Sequence, residues 1–143
     1  MKMTKISAII ITTLMLLPGC RKDEEDRVPN VPVNISIQLQ QPAFVNLQVV
    51  GGWEYITGGS EGIIIYRSSI DEFKAFDRHC TWQVGNFDRI VMDEDNIIAR
   101  DVDGCGSSFI ITDGSAVDDP AFVPLTEYQT NYNAGTGVLT ITN

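Results

Sequence analysis

Two short stretches hold the side chains best suited to chemistry: His79-Cys80-Thr81-Trp82 and Cys105-Gly106-Ser107. Thiols and imidazoles ligate metals, attack carbonyls and exchange electrons. The stock is small, because the chain has one histidine and three cysteines. A zinc site drawn from His79, Cys80, Cys105 and a carboxylate such as Asp77 lacks the closely spaced cysteine pairs of structural zinc sites. A Cys-x-x-Cys redox pair is also missing. Gly104-Cys105-Gly106-Ser107-Ser108 has the small flanks of a nucleophile elbow, but that motif needs a strand-to-helix turn, and His79 would be its sole base. No catalytic residue is expected. Asp93-Glu94-Asp95-Asn96 and Asp101-Val102-Asp103-Gly104 are acidic, yet neither continues into the longer ligand series, ending in Glu, of a calcium loop. They read as hairpin turns.

The elements that must position these residues are strands. Val33, Ile35, Ile37 and Leu39 alternate with polar residues, which places all four on one face of an extended segment. Strand patterns follow at residues 44–50, 53–57, 62–67, 75–77, 89–92, 97–100, 108–112, 127–133 and 138–142. Turn clusters such as Gly58-Gly59-Ser60, Asp113-Gly114-Ser115 and Ala134-Gly135-Thr136-Gly137 separate several of them. Beyond the first 20 residues no window sustains a helical stripe. The expectation is an all-β fold, a small antiparallel sandwich or barrel.

The N-terminus addresses the chain to the envelope. Lys2 and Lys5 precede an apolar run from Ala8 to Leu17, then Leu17-Pro18-Gly19-Cys20. This run is too short for a spanning helix, which takes about 20 apolar residues, and has the layout of a secretory signal. With Gly19 before Cys20 it resembles a lipoprotein signal, which implies cleavage after residue 19 and a lipid on Cys20. Residues 20–30 are then a charged tether, and Lys22-Asp23-Glu24-Glu25 is similar to the acidic export signal of Bacteroidota-type lipoproteins. That resemblance implies an outer-membrane location, on the cell surface or the periplasmic face. The formal charge of −9 disfavours nucleic acid and anionic lipid surfaces, which call for clustered Lys and Arg. Lipid would be the membrane contact, and the partner an unidentified protein or small ligand. With Cys20 assigned to lipid, Cys80 and Cys105 are an even pair in an oxidising compartment. They are either two free thiols or a bridge closing a loop of about 25 residues, worth roughly 3–4 kcal/mol.

Residues 31–143 contain a pattern that resembles a Rieske-type iron–sulfur domain. The segments are 62–67 with 73–82, then Cys105-Gly106-Ser107-Ser108-Phe109, Asp113-Gly114, Asp119-Pro120-Ala121 and the strand Val138–Thr142. The resemblance implies a Rieske-like topology with two loops that hold a 2Fe-2S cluster. That cluster takes two cysteines and two histidines, and one histidine cannot supply two ligands. Trp82 and Cys105 stand where the family has histidines, and Val102 or Gly104 where it has a cysteine. The expectation is a degenerate loop pair at Cys80, Trp82, Cys105, Gly106 and Ser107, with no cofactor, no metal and no enzymatic activity. The family's loop-tying disulfide implies that Cys80 and Cys105 are bridged. The alternative is a redox protein, with an atypical iron–sulfur cluster or a cycling Cys80–Cys105 pair. Replacing Cys20 by alanine is expected to release the protein from the membrane fraction and abolish fatty-acid labelling; retained label would refute the anchor.

Overall fold

The computed structural model describes residues 27–143. The signal segment 1–19, Cys20 and most of the tether lie outside the described residues. Among the described residues, no helix is long and apolar enough to cross a membrane.

Among the described residues ten strands form, all antiparallel to their neighbours: β1 (Asn34–Gln38), β2 (Trp53–Ile56), β3 (Ile63–Arg67), β4 (Phe73–Asp77), β5 (Val91–Met92), β6 (Ile98–Arg100), β7 (Ser108–Ile110), β8 (Ala116–Asp118), β9 (Glu127–Asn133) and β10 (Val138–Thr142). Six make one sheet in the order β1-β10-β9-β4-β3-β2, and four make a second in the order β5-β6-β7-β8. The all-β, antiparallel expectation holds, and β9 and β10 have the bounds read from the sequence.

β3 and β4 lie between two apolar cores, which explains the unbroken Ile63-Ile64-Ile65 of β3. Ile63, Ile65, Phe73 and Ala75 face one core together with Ile37, Leu47, Leu139 and Ile141. Ile64 and Phe76 face the other with Ile90, Phe109, Ile111 and Leu125. A strand buried on both faces reads as an unbroken apolar run rather than an alternation. Each of the three isoleucines is fully buried, which is worth about 1.5–3 kcal/mol per side chain. Two side chains of β2 tie the large sheet to the small one. Met92 N–H donates to Tyr55 Oη at 2.8 Å, and Trp53 Nε1–H donates to Asn96 Oδ1 at 2.8 Å.

Residues 44–50 depart from the expected strand. Pro42–Gln48 form two short 3-10 turns joined by a kink at Phe44, with proline at the start. Proline cannot donate to a sheet ladder and suits the first turn of a helix. Leu47 is fully buried and Phe44 packs against the same core, while Val45, Val49 and Val50 are exposed. β8 carries no strand signal in the sequence, because Val117 is exposed and the three-residue strand has no apolar alternation.

A buried carboxylate fixes the frame. Asp77, the last residue of β4, is fully buried. Its Oδ2 accepts from Ser60 N–H at 2.6 Å and Tyr128 O–H at 2.7 Å; its Oδ1 accepts from Glu61 N–H at 3.2 Å and His79 N–H at 2.9 Å. Gly59, at φ +64, crosses so close that a Cβ there would collide with this carboxylate and with the Tyr128 hydroxyl. Burial, then the hydrogen bond to Asp77, raises the Tyr128 phenol above its ordinary value. Asp77→Ala leaves several buried donors unpaired and is expected to cost about 3 kcal/mol or more. A urea-unfolding midpoint matching the wild type would contradict that.

Candidate functional site

Two loops meet at one end of the small sheet. The first, residues 78–90, leaves β4. Arg78 N–H donates to Gly62 O, its guanidinium lies 3.7 Å over the Tyr55 ring, and Cys80 N–H donates to Asp88 O. The second, residues 101–107, joins β6 to β7 and is shaped by one side chain. Asp101 Oδ1 accepts from Gly104 N–H at 2.9 Å, and Oδ2 accepts from Cys105 N–H at 3.1 Å. This is an Asx-type turn, in which a carboxylate replaces the backbone acceptor. Gly104 has no alternative, because a Cβ would drive into the carboxylates of both Asp101 and Asp88.

The loops bring Cys80 and Cys105 together. Their sulfurs are 3.8 Å apart, in contact as free thiols; a bridged pair would stand at about 2.05 Å. Cys105 Sγ donates to Asp101 Oδ2 at 3.3 Å and lies 2.9 Å from Ser107 Oγ. Ser107 is fully buried, and its Oγ accepts Ala121 N–H at 2.9 Å, which leaves its own proton for the Cys105 sulfur. Cys80 is 1% exposed. Burial, with Asp101 adding to it, pushes the Cys80 thiol well above the ordinary cysteine value.

Other expected residues fall differently. The weighed zinc set of His79 and Asp77 with the two cysteines is not brought together. Asp77 is spent on its four donors, and the His79 ring is fully buried and turned away from the thiols. Nε2 is 2.8 Å from Val84 O, and Nδ1 is 2.8 Å from Ser60 Oγ. A carbonyl only accepts, so Nε2 carries the proton and Nδ1 takes the Ser60 hydroxyl. Asp101 completes the cluster instead: ligand atoms of Cys80, Asp101 and Cys105 all lie within 4.8 Å of one another. From the sequence alone Asp101 reads as part of a hairpin turn, and its position four residues before Cys105 in one tight loop is the signal for its role here. Trp82 packs against the second core, with Phe122 edge-on at 6.2 Å. Gly106 is exposed at φ +78.

This layout of a six-stranded sheet, a four-stranded sheet and two facing loops is the Rieske-like β fold. The chain is similar to the complex of reduced oxygenase and oxidised ferredoxin in carbazole 1,9a-dioxygenase, with a TM-score of 0.50 and 14% identity over 80% of this chain and 94% of that one. It is similar as well to the ferredoxin of carbazole 1,9a-dioxygenase from Nocardioides aromaticivorans IC177, with a TM-score of 0.50 and 11% identity over 79% and 98%. At these identities the likeness is one of fold. No protein-family model matches the sequence, and no curated protein resembles it significantly.

The residues present do not fit the cluster of that fold. Rieske ligation takes two imidazoles and two thiolates. Here the sole imidazole has both nitrogens engaged inside the fold, so the two-histidine half of the ligand set is missing. Iodoacetamide is expected to label Cys105, which is partly exposed, well before buried Cys80 in the native protein. Peptide mass spectrometry that found equal rates would refute the described environments.

Proposed function

We propose that this protein is a lipid-anchored outer-membrane protein whose Rieske-like domain has no iron–sulfur cluster and acts as a non-enzymatic binding or accessory module. The observation that carries this reading is the commitment of both His79 ring nitrogens to Ser60 and Val84 inside the fold. A ligating imidazole needs one free nitrogen, and this chain has no second histidine. The scaffold around the loops is nonetheless intact, with a full core and paired strands. Such retention of shape with altered loop chemistry supports a role in contact rather than electron transfer.

The rim of the loops offers a surface for that contact. Phe122 is 78% exposed beside half-buried Trp82, and Val123 and Val102 are exposed as well. Apolar side chains on loops held by a rigid sheet favour a protein or small ligand with an apolar face. The net charge of −9 disfavours nucleic acid. Phe87, another exposed aromatic, is used locally, with its ring 5.3 Å from His79.

The detergent-purified protein is expected to be colourless and to contain neither iron nor acid-labile sulfide in stoichiometric amount. A brown protein with two irons and two sulfides per chain would overturn the reading and favour the electron carrier.

A further inference from the structure

Cys80, Cys105 and Asp101 are arranged as one face of a metal tetrahedron. An ion with metal–sulfur bonds of about 2.3 Å in tetrahedral geometry holds its two sulfurs about 3.8 Å apart. The sulfurs here are 3.8 Å apart. With a metal–oxygen bond of about 2.1 Å, the sulfur–oxygen edge is about 3.6 Å. Cys105 Sγ and Asp101 Oδ2 are 3.3 Å apart. Thus two edges of the donor triangle are close to the spacing that such an ion imposes, and the third donor pair lies within 4.8 Å.

The electrostatics point the same way. Asp101 is fully buried, and none of the ion pairs among the described residues includes it or Asp88, whose carboxylate lies against the same side of Gly104. A buried anionic group without a counter-charge is unfavourable, and a bound cation is the largest compensating charge a site can acquire. Two thiolates and a carboxylate make a soft-to-borderline donor set, which suits zinc-like ions and not calcium or magnesium. Ser107 supplies the supporting contact. Its hydroxyl, oriented by Ala121 N–H, holds Cys105 Sγ in place, as hydrogen bonds behind ligands do in metal sites. A side chain added at Gly106 would meet nothing within 4 Å, so the loop is open on that side.

We infer that Cys80, Cys105 and Asp101 bind a single borderline-soft divalent cation of the zinc type, leaving a fourth position for water or a donor from another molecule. The inference rests on the cluster-free reading, since both concern the same loops. It also excludes a standing Cys80–Cys105 bridge, because a disulfide has no thiolate left to donate. Binding displaces the thiol protons to solvent and involves no change of oxidation state.

The test uses the full-length protein, purified in detergent with a phosphine reductant and titrated with Co2+. One equivalent is expected to produce thiolate-to-cobalt charge-transfer absorption and the ligand-field bands of a tetrahedral ion, and Zn2+ to erase both. Cys80→Ser and Cys105→Ser are expected to abolish the bands. Asp101→Asn keeps one of the two turn hydrogen bonds while removing the second carboxylate oxygen, and is expected to shift the ligand-field bands and weaken binding by about tenfold or more. Circular dichroism identifies any variant that fails to fold, and Cys105→Ser, at a partly exposed position, is the variant least exposed to that failure. An absence of bands in folded wild-type protein would overturn the inference, as would bands that survive Cys105→Ser. Quantitative formation of the bridge in air despite excess Zn2+ would do the same. Those outcomes leave the cluster-free reading standing, whereas stoichiometric iron and sulfide would remove it.

Discussion

A single buried carboxylate holds the architecture around the loops. Asp77 has no ion-pair partner among the described residues, so its burial is tolerable only through the four hydrogen bonds it accepts. Those donors come from three places in the chain: the turn after β2, the start of the first loop, and β9. The loss of any one would leave either a charge or a dipole unpaired in a dry interior. The same group therefore fixes the β2–β3 turn, docks β9 on β4 and aims the chain into His79 and Cys80.

From that anchor the two cores take separate roles. The core on the β1–β10 side stabilises the six-stranded sheet, and its aliphatic residues touch neither loop cysteine. The core on the other side is shared between β3, β4 and the small sheet, and Cys80 is one of its members. The position of Cys80 is thus set by packing, and that of Cys105 by the Asp101 turn and Ser107. Two independently fixed loops are what bring the sulfurs into contact without a bond. The histidine is drawn into the scaffold by the same logic: its two hydrogen bonds lace the first loop to the Ser60 turn. The donor set left at the loop tips differs in kind from that of the iron–sulfur fold it sits in.

Much of this was legible in the chain. Alternation in Val33–Leu39, Glu127–Asn133 and Val138–Thr142 marked strands, since period two has one structural meaning when turns bound it. The run Ile63-Ile64-Ile65 marked a strand, and the structure shows that both of its faces are covered. The apolar pattern of residues 44–50 misled because Phe44 and the valines suit a strand locally, while Pro42 and the burial of Leu47 select a 3-10 turn. Counting histidines was enough to question the cluster, as a ligand that is not encoded cannot be supplied by folding.

Composition and residue order thus determined the class of fold, the acidic character and the poverty of ligands. They did so because periodicity, charge and stoichiometry are properties of the chain itself. Only the tertiary structure decided that Asp101, not Asp77 or His79, stands with the two thiols. Which side chains face one another across two loops depends on where β4, β6 and β7 are held. That geometry is set by long-range contacts such as Tyr128 on Asp77 and Ala121 on Ser107, which no local pattern records.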